Sequence, residues 1–279
     1  AGNTTSETST GSVDTTAPVV TNTTAPNSNS DTPTFTGNTN AEPGSEATIT
    51  VTDGNGDSQV INVVVQDDGS FSGTPDTALA EGDFTVVTQV TDSAGNTTSE
   101  TSTGSVDTTA PILTVDAPDN TNDITPTIIG TTNAPANSTV NLTVTGSDGE
   151  VQILSTSVLA NGTYSADVLS NLSQGNYTVA ATVADSAGNE ANANDTGSVD
   201  TTAPLLTVDA PDNTNDATPT ITGTTTEPVN STVSILVTDA DGIEQLLSVT
   251  VSANGTYSAD IPNDLAEGNY MVQASITDA

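Results

Sequence analysis

The chain has 279 residues, of which 36 are acidic and none is lysine, arginine or histidine, so its formal net charge is −36. Without imidazole, thiol or amine side chains, a neutral-pH general base, a cysteine or lysine nucleophile and a Cys/His zinc site are excluded. The lack of cations also argues against binding to nucleic acid or anionic membranes, and no apolar run is long enough for membrane insertion. Only carboxylate chemistry would remain for an enzyme, and we predict that the chain is not one.

An eight-residue stretch, GSVDTTAP, occurs three times, at 11–18, 104–111 and 197–204. Its aspartates follow one another at intervals of 93 residues (107 − 14 and 200 − 107). A period of this length fits a small domain rather than one turn of a solenoid. Residues 1–13 repeat residues 94–106 letter for letter. We therefore predict the last strand of a preceding repeat at 1–13, repeats at 14–106 and 107–199, and a third repeat at 200–279 that lacks its last strand.

Each period is predicted to contain seven strands, A to G. In the second period they lie at 111–115, 127–132, 138–145, 151–158, 162–168, 175–185 and 189–199. Apolar residues alternate with Thr or Ser in these segments, and the Gly, Asn and Asp residues between them are typical of hairpin turns. The predicted fold is all-β, with tandem seven-stranded Ig-like β-sandwich domains in an elongated array.

An aromatic residue recurs in strand E and at the start of strand F of every period. The strand E residues are Phe71, Tyr164 and Tyr257, and the strand F residues are Phe84, Tyr177 and Tyr270. We expect these rings to fill the core. Tyr177 and Tyr270 also carry the hydroxyl that a tyrosine-corner hydrogen bond needs.

Acidic residues recur at one end of each predicted sandwich, because antiparallel order places the B–C, D–E and F–G loops beside the linker that precedes them. They are the linker residues Asp14, Asp107 and Asp200, the F–G residues Asp92, Asp185 and Asp278, and the B–C residues Glu42 and Glu227. The second repeat has no acid in its B–C loop. Converging carboxylates need a counter-charge, and Ca²⁺ prefers oxygen ligands of this kind. We predict these residues as calcium ligands; the alternative is solvated turn residues, since Asp favours turns anyway.

The motifs VDTTAP before strand A, EPG or EPV before strand C, ANGTYSAD around strand E and DSAGN after strand F resemble the bacterial Ig-like repeats of giant adhesins. These adhesins are of the RTX and biofilm-associated types that type I systems secrete. The resemblance covers the whole chain. It implies an extracellular spacer in an adhesin at the bacterial cell surface or in a matrix fibre, stiffened by calcium between domains. The ligands that it implies are Asp14, Glu42 and Asp92 in one repeat, and Asp200, Glu227 and Asp278 in another.

Two partner arrangements stay open at this stage. Adjacent repeats of one continuous chain are one; separate chains that assemble head to tail, each donating its leading strand to the next, are the other. A different function, a module whose loops bind a glycan or a protein, is also considered. Only 3% of the residues are aromatic and none is Trp, which disfavours a glycan site. The sequence does not specify the distal ligand of the adhesin.

Overall fold

The computed structural model describes residues 1–23 and 27–278. Within these residues every regular element is a β-strand, and none is a helix that could cross a membrane. The strands recur with the period seen in the sequence, so the all-β prediction is confirmed.

Repeat 1 contains two sheets. Its strands are β1 (Val20–Thr23), β2 (Asn27–Ser28), β3 (Phe35–Thr39), β4 (Glu46–Thr52), β5 (Ser58–Val64), β6 (Ser70–Gly73), β7 (Gly82–Thr91) and β8 (Thr97–Val106). One sheet has the order β1-β3-β6 and the other has the order β2-β8-β7-β4-β5. The chain joins both sheets near its start, because β1 pairs antiparallel with β3 whereas β2 pairs parallel with β8.

Repeat 2 has the seven strands predicted from the sequence, with ends that differ from the prediction by at most two residues. They are β9 (Leu113–Asp116), β10 (Thr127–Thr132), β11 (Thr139–Thr145), β12 (Val151–Ser157), β13 (Thr163–Asp167), β14 (Gly175–Ala184) and β15 (Glu190–Val199). The two sheets have the orders β13-β10-β9 and β12-β11-β14-β15.

Repeat 3 contains β16 (Thr220–Thr224), β17 (Thr232–Thr238), β18 (Glu244–Thr250), β19 (Thr256–Asp260) and β20 (Met271–Ser275). The strands form a β16-β19 pair and a sheet of order β18-β17-β20. Before β16 the chain makes isolated bridges, from Leu206 to Thr225 and from Asp209 to Thr222.

The core of each repeat is built by alternation along the strands. In β11, Val140, Leu142 and Val144 are fully buried, while the residues between them are exposed. The equivalent residues of β4 and β17 are buried in the same way. Each such side chain contributes about 1.5–3 kcal/mol through burial, so the folds do not depend on ion pairs that this composition cannot form.

The aromatic residues of strand E lie across a glycine of the neighbouring strand. Tyr164 is opposite Gly130, and its hydroxyl passes over this glycine to donate a hydrogen bond of 2.5 Å to the carbonyl of Thr114 on the third strand. A Cβ on Gly130 would lie 2.4 Å from the Tyr164 ring. Tyr257 makes the same bond to Thr207.

The tyrosines of strand F also use their hydroxyls. Tyr177 donates to the carbonyl of Pro118 and Tyr270 to that of Pro211, at 3.0 and 2.7 Å. Both acceptors lie 59 residues upstream, between strands A and B. The hydrogen bond expected from the sequence is therefore present, but it does not close the local loop of a tyrosine corner.

Contacts group the chain into two compact units. Unit 1 comprises Ala1–Pro118, Thr125–Asn171 and Tyr177–Gly197; unit 2 comprises Asp119–Ile124, Leu172–Asn176 and Ser198–Ala279. The linker between repeats 1 and 2 lies within unit 1, and the linker before repeat 3 lies within unit 2. Residues 1–13 are exposed and form no strand, and their assignment to a preceding repeat stays a prediction.

Candidate metal centre at the repeat junctions

The three linker aspartates make the same local turn. The Oδ1 atom of Asp14 accepts the N–H of Thr16, that of Asp107 accepts Thr109, and that of Asp200 accepts Thr202. The distances are 2.9, 3.1 and 2.9 Å. A side chain that bonds the backbone two residues later is an Asx turn, which fixes the direction of the linker. One oxygen of each linker carboxylate is therefore already engaged.

Two of the F–G aspartates, Asp92 and Asp185, are the centres of the DSAGN turns. Oδ1 of Asp185 accepts the N–H groups of Ala187, Gly188 and Asn189, each at 2.9 Å. Its Oδ2 accepts the Asn189 side chain at 2.9 Å. Burial opposes ionisation of Asp185, but the donors from Asn189 and the turn outweigh it, and its pKa is lowered. This carboxylate is satisfied by N–H donors without a cation.

The same turn is connected to the linker by an asparagine. Asn189 Nδ2 also donates to the carbonyl of Asp107, at 2.7 Å. In repeat 1, Asn96 bonds Asp92 Oδ2 at 3.0 Å and the carbonyl of Asp14 at 3.2 Å. The Asn96 side chain is the largest cause of the lowered pKa of Asp92. The linker and the F–G loop are thus adjacent, as predicted. The residue that joins them, Asn96 or Asn189, is an amide, which the pattern of acidic residues does not reveal.

The two B–C glutamates occupy different places. One equivalent hydrogen bond in each repeat aligns the three B–C loops. The N–H groups of Ala41, Ala134 and Glu227 each donate to the hydroxyl of the threonine two residues before them. Glu227 is therefore equivalent to Ala41 and Ala134, which are also buried. Glu42 lies one residue later and is exposed.

Glu227 is an unusual carboxyl in this chain. It is 8% exposed, and its Oε2 atom is buried without a hydrogen-bond partner. Burial, the charge and hydrogen bond of Asp278, and the charge of Asp200 together raise its pKa. A hydrogen bond between two carboxyl groups requires that one of them keeps a proton. Asp200 and Asp278 thus act electrostatically on Glu227 within unit 2.

A surface cavity of about 550 Å³ lies beside these residues. Its lining includes Asp200 and Asp278, Asn120 and Asn122, and the linker residues 201–204. The donors that face it are oxygen-rich, as hard cations require. Within residues 1–23 and 27–278, however, no three acidic side chains are close enough to hold a metal ion as they stand.

Two residues that contact the linkers were not among the predicted calcium ligands. Glu81 accepts hydrogen bonds from Thr108 in the linker of unit 1, and Gln174 bonds the linker of unit 2. Both lie in the E–F loop, 93 residues apart. Their common position in the 93-residue period could have identified them. The change from Glu to Gln hides this relation in the sequence.

Comparison with known proteins gives consistent matches. A family model described as bacterial Ig-like domain matches residues 8–108, 114–201 and 207–279. No curated protein sequence matches the chain. A crystal structure of a tetra-tandem repeat in the extending region of a large adhesion protein is 35% identical, over 96% of this chain and 72% of that chain, with a TM-score of 0.36.

Two ice-binding adhesins are also similar. A solved structure that concerns host cell surface retention of a 1.5-MDa bacterial ice-binding adhesin is 23% identical over 94% of this chain and 97% of the chain in that structure, with a TM-score of 0.37. A Ca²⁺-stabilised adhesin with which an Antarctic bacterium binds ice is 23% identical over 94% and 73%, with a TM-score of 0.35.

Proposed function

Because the chain belongs to the bacterial Ig-like domain family, in three tandem copies, we propose that it is a structural extender of a large bacterial adhesin. The observation that carries this proposal is the 35% identity, across 96% of the chain, to tandem repeats from the extending region of a large adhesion protein. The proposed location is the bacterial cell surface, and the proposed partners are adjacent repeats of the same chain. No catalytic role is assigned to any residue.

An extender must resist bending where its domains meet, and the linkers support this role. In unit 1, Asp107 has its N–H bonded to the carbonyl of Ser28, at 2.9 Å, and its own carbonyl bonded to Asn189. Pro111 follows and restricts Ala110 to extended geometry. The linker therefore has contacts to the repeat before it and to the repeat after it.

The finer proposal is a calcium site in unit 2. Asp200, Glu227 and Asp278 would hold the ion, because the buried Oε2 of Glu227 has no partner and a proton is otherwise needed between Glu227 and Asp278. Calcium, when bound, supplies the positive charge that this chain's own side chains lack. The other predicted ligands, Asp14, Glu42, Asp92, Asp107 and Asp185, stay predictions.

Melting of the whole chain with and without calcium tests the site, using Glu227→Gln and, as a control in the same repeat, the exposed Glu244→Gln. Tyrosine circular dichroism reports on repeats 2 and 3 only, since repeat 1 contains no tyrosine. At calcium concentrations about ten times Kd, mass action should raise the melting temperature by roughly 6–11 °C. We expect this rise in the parent and in E244Q but not in E227Q. Equal rises in all three would remove Glu227 from the site.

The pKa of Glu227 gives a second test. Its folded-state pKa is raised above 4.5, so the metal-free fold loses stability as pH rises through that value, where the unfolded chain ionises first. In chelator at pH 7, E227Q should therefore melt no lower than the parent. A clearly lower melting temperature for E227Q would contradict this account of the carboxyl.

Small-angle scattering tests the extender proposal independently of calcium. Strands of ten residues such as β7 span about 34 Å, so three repeats end to end would form a rod of roughly 100 Å with a radius of gyration near 30 Å. A compact globule of this length would have a radius of gyration of about 19 Å. A measured value near the smaller figure, with or without calcium, would argue against an extender.

A further inference from the structure

The end of the E–F loop in repeat 1 reaches the linker that follows it. Glu81 accepts the N–H of Thr108 at 3.0 and 3.3 Å, through its two carboxylate oxygens, and also accepts the Thr108 hydroxyl. All these residues lie in unit 1. Glu81 precedes β7 directly, so the bond connects a rigid strand of the sandwich to the first residue after the linker aspartate.

In unit 2 the same position carries an amide, and it contacts the equivalent linker by different atoms. Gln174 Nε2 donates to Asp200 Oδ1 at 3.1 Å and to the Thr202 hydroxyl at 2.5 Å. Its Oε1 accepts from the hydroxyl of Thr201, the counterpart of Thr108, at 3.4 Å. Two different side chains therefore make the same connection, which indicates that the connection itself is the constant feature.

The bond from Glu81 completes a series along the linker backbone. The N–H of Asp107 is bonded to Ser28, that of Thr108 to Glu81, and that of Thr109 to the Asp107 carboxylate. Three consecutive donors are thus satisfied. By holding the N–H of Thr108, Glu81 limits rotation about φ and ψ at this residue, the two soft angles of its backbone.

We propose that Glu81 and Gln174 are latches that fix the direction in which the chain leaves one sandwich for the next, and that they work without metal. This inference deepens the proposed extender function and rests on it. The acceptor and donor chemistry predicts that either Glu or Gln serves at this position. A side chain without oxygen atoms does not.

The experiment uses the absence of cysteine in the chain. Single cysteines at Thr101 and Ser155, both exposed and away from the linker, carry spin labels in repeats 1 and 2. Pulsed electron resonance then measures the distance distribution between them in chelator, for the parent, Glu81→Ala and Glu81→Gln. Glu267→Ala is the matched control, because Glu267 has the same loop position and makes no hydrogen bond among the residues described.

In Glu81→Ala we expect the ratio of unlatched to latched orientations to rise roughly fivefold, as for loss of a net hydrogen bond, and the distribution to broaden. Glu81→Gln and Glu267→Ala should keep the parent width. Thr108→Val, which removes only the hydroxyl, should broaden it less than Glu81→Ala. A parent-like width in Glu81→Ala, with repeat 1 shown to be folded by amide NMR, would overturn the latch.

The failure of this inference and of the proposed function give different results. The distances between the spin labels are measured in chelator. The outcome of the calcium melting experiment with E227Q therefore does not affect them. A small radius of gyration would refute the extender, whatever the width of the label distribution. A parent-like width in Glu81→Ala, together with an extended chain, would refute the latch alone.

Discussion

Removal of the Tyr164 hydroxyl should destabilise repeat 2 by a measurable amount. The side chain is 1% exposed, and its hydroxyl is bonded to the Thr114 carbonyl at 2.5 Å. Tyr164→Phe keeps the ring over Gly130 and removes only this bond. A buried hydrogen bond contributes about 0.5–1.5 kcal/mol net, and an acceptor left unsatisfied adds to the loss, so we expect about 1–2 kcal/mol.

Repeat 1 provides the reverse experiment. Phe71 lies opposite Gly37 in the position of Tyr164, and a Cβ on this glycine would be 2.6 Å from the carbonyl of Thr21. Phe71→Tyr should place a hydroxyl against that carbonyl and stabilise repeat 1 by up to about 1 kcal/mol. Together, the two variants remove this hydrogen bond from repeat 2 and introduce it into repeat 1.

Hydrogen exchange read by mass spectrometry resolves the repeats in the whole chain. In Tyr164→Phe the amides of β9 and β13 should exchange about tenfold faster, since 1.4 kcal/mol corresponds to a factor of ten. Repeats 1 and 3 should be unaffected. Unchanged exchange in β9 would refute the idea that the hydroxyl holds this strand across β10.

Alkaline unfolding gives the same reasoning a second readout. Burial raises the pKa of Tyr164 from 10.0 to about 12. The folded state therefore keeps its proton where the unfolded chain loses it, and the stability present below pH 10 is lost as pH rises towards 12. Tyr164→Phe should lack this part of the alkaline loss.

Two further predictions concern the turns. Asn161→Asp should leave repeat 2 within about 0.5 kcal/mol of the parent, because Asp68 in repeat 1 already makes the same two bonds to the residue two positions later, and melting of the variant checks this. Asn189→Ala should raise the pKa of Asp185 towards its ordinary value, which NMR titration of the carboxyl measures. Since the lowered pKa of Asp185 stabilises the fold above the unfolded pKa, repeat 2 of this variant should lose less stability on acidification.

The strands could be predicted from the sequence because one physical signal decides them. Alternating Val, Ile and Leu in segments such as 139–145 can bury one face only as a strand, and the observed burial follows that alternation. Strand A was harder to predict. It changes sheets within repeat 1, and that change depends on pairing with β8, which lies far away in sequence.

The two glutamates show that a shared motif does not mean a shared position. Glu42 and Glu227 both precede a proline and look equivalent as letters. The backbone hydrogen bonds align Glu227 with Ala41, so one glutamate is buried and the other is in solvent. The 93-residue period gives the same alignment, since 227 − 186 is 41, so the spacing already carried the signal that the shared Glu-Pro pair concealed. The burial at that position depends on how the loop packs, which spacing alone does not show.

One copy of the repeated octapeptide makes several separate contacts within the chain. In the copy at 197–204, a Cβ on Gly197 would be 2.4 Å from both the Tyr177 hydroxyl and the carbonyl of Pro118, so only glycine fits. Ser198 bonds Asn120, and Val199 is 2% exposed. All these contacts are made by residues that precede Asp200.

Asp200 accepts a hydrogen bond from the N–H of Thr202. The hydroxyls of Thr201 and Thr202 are hydrogen-bonded to the side chain of Gln174. Each of these contacts depends on its own residue type, so the residues of this copy have structural roles besides any binding of calcium. A cation site would therefore have to be demonstrated at Glu227, where the protein groups leave an oxygen unsatisfied, and not inferred from the constancy of Asp14, Asp107 and Asp200.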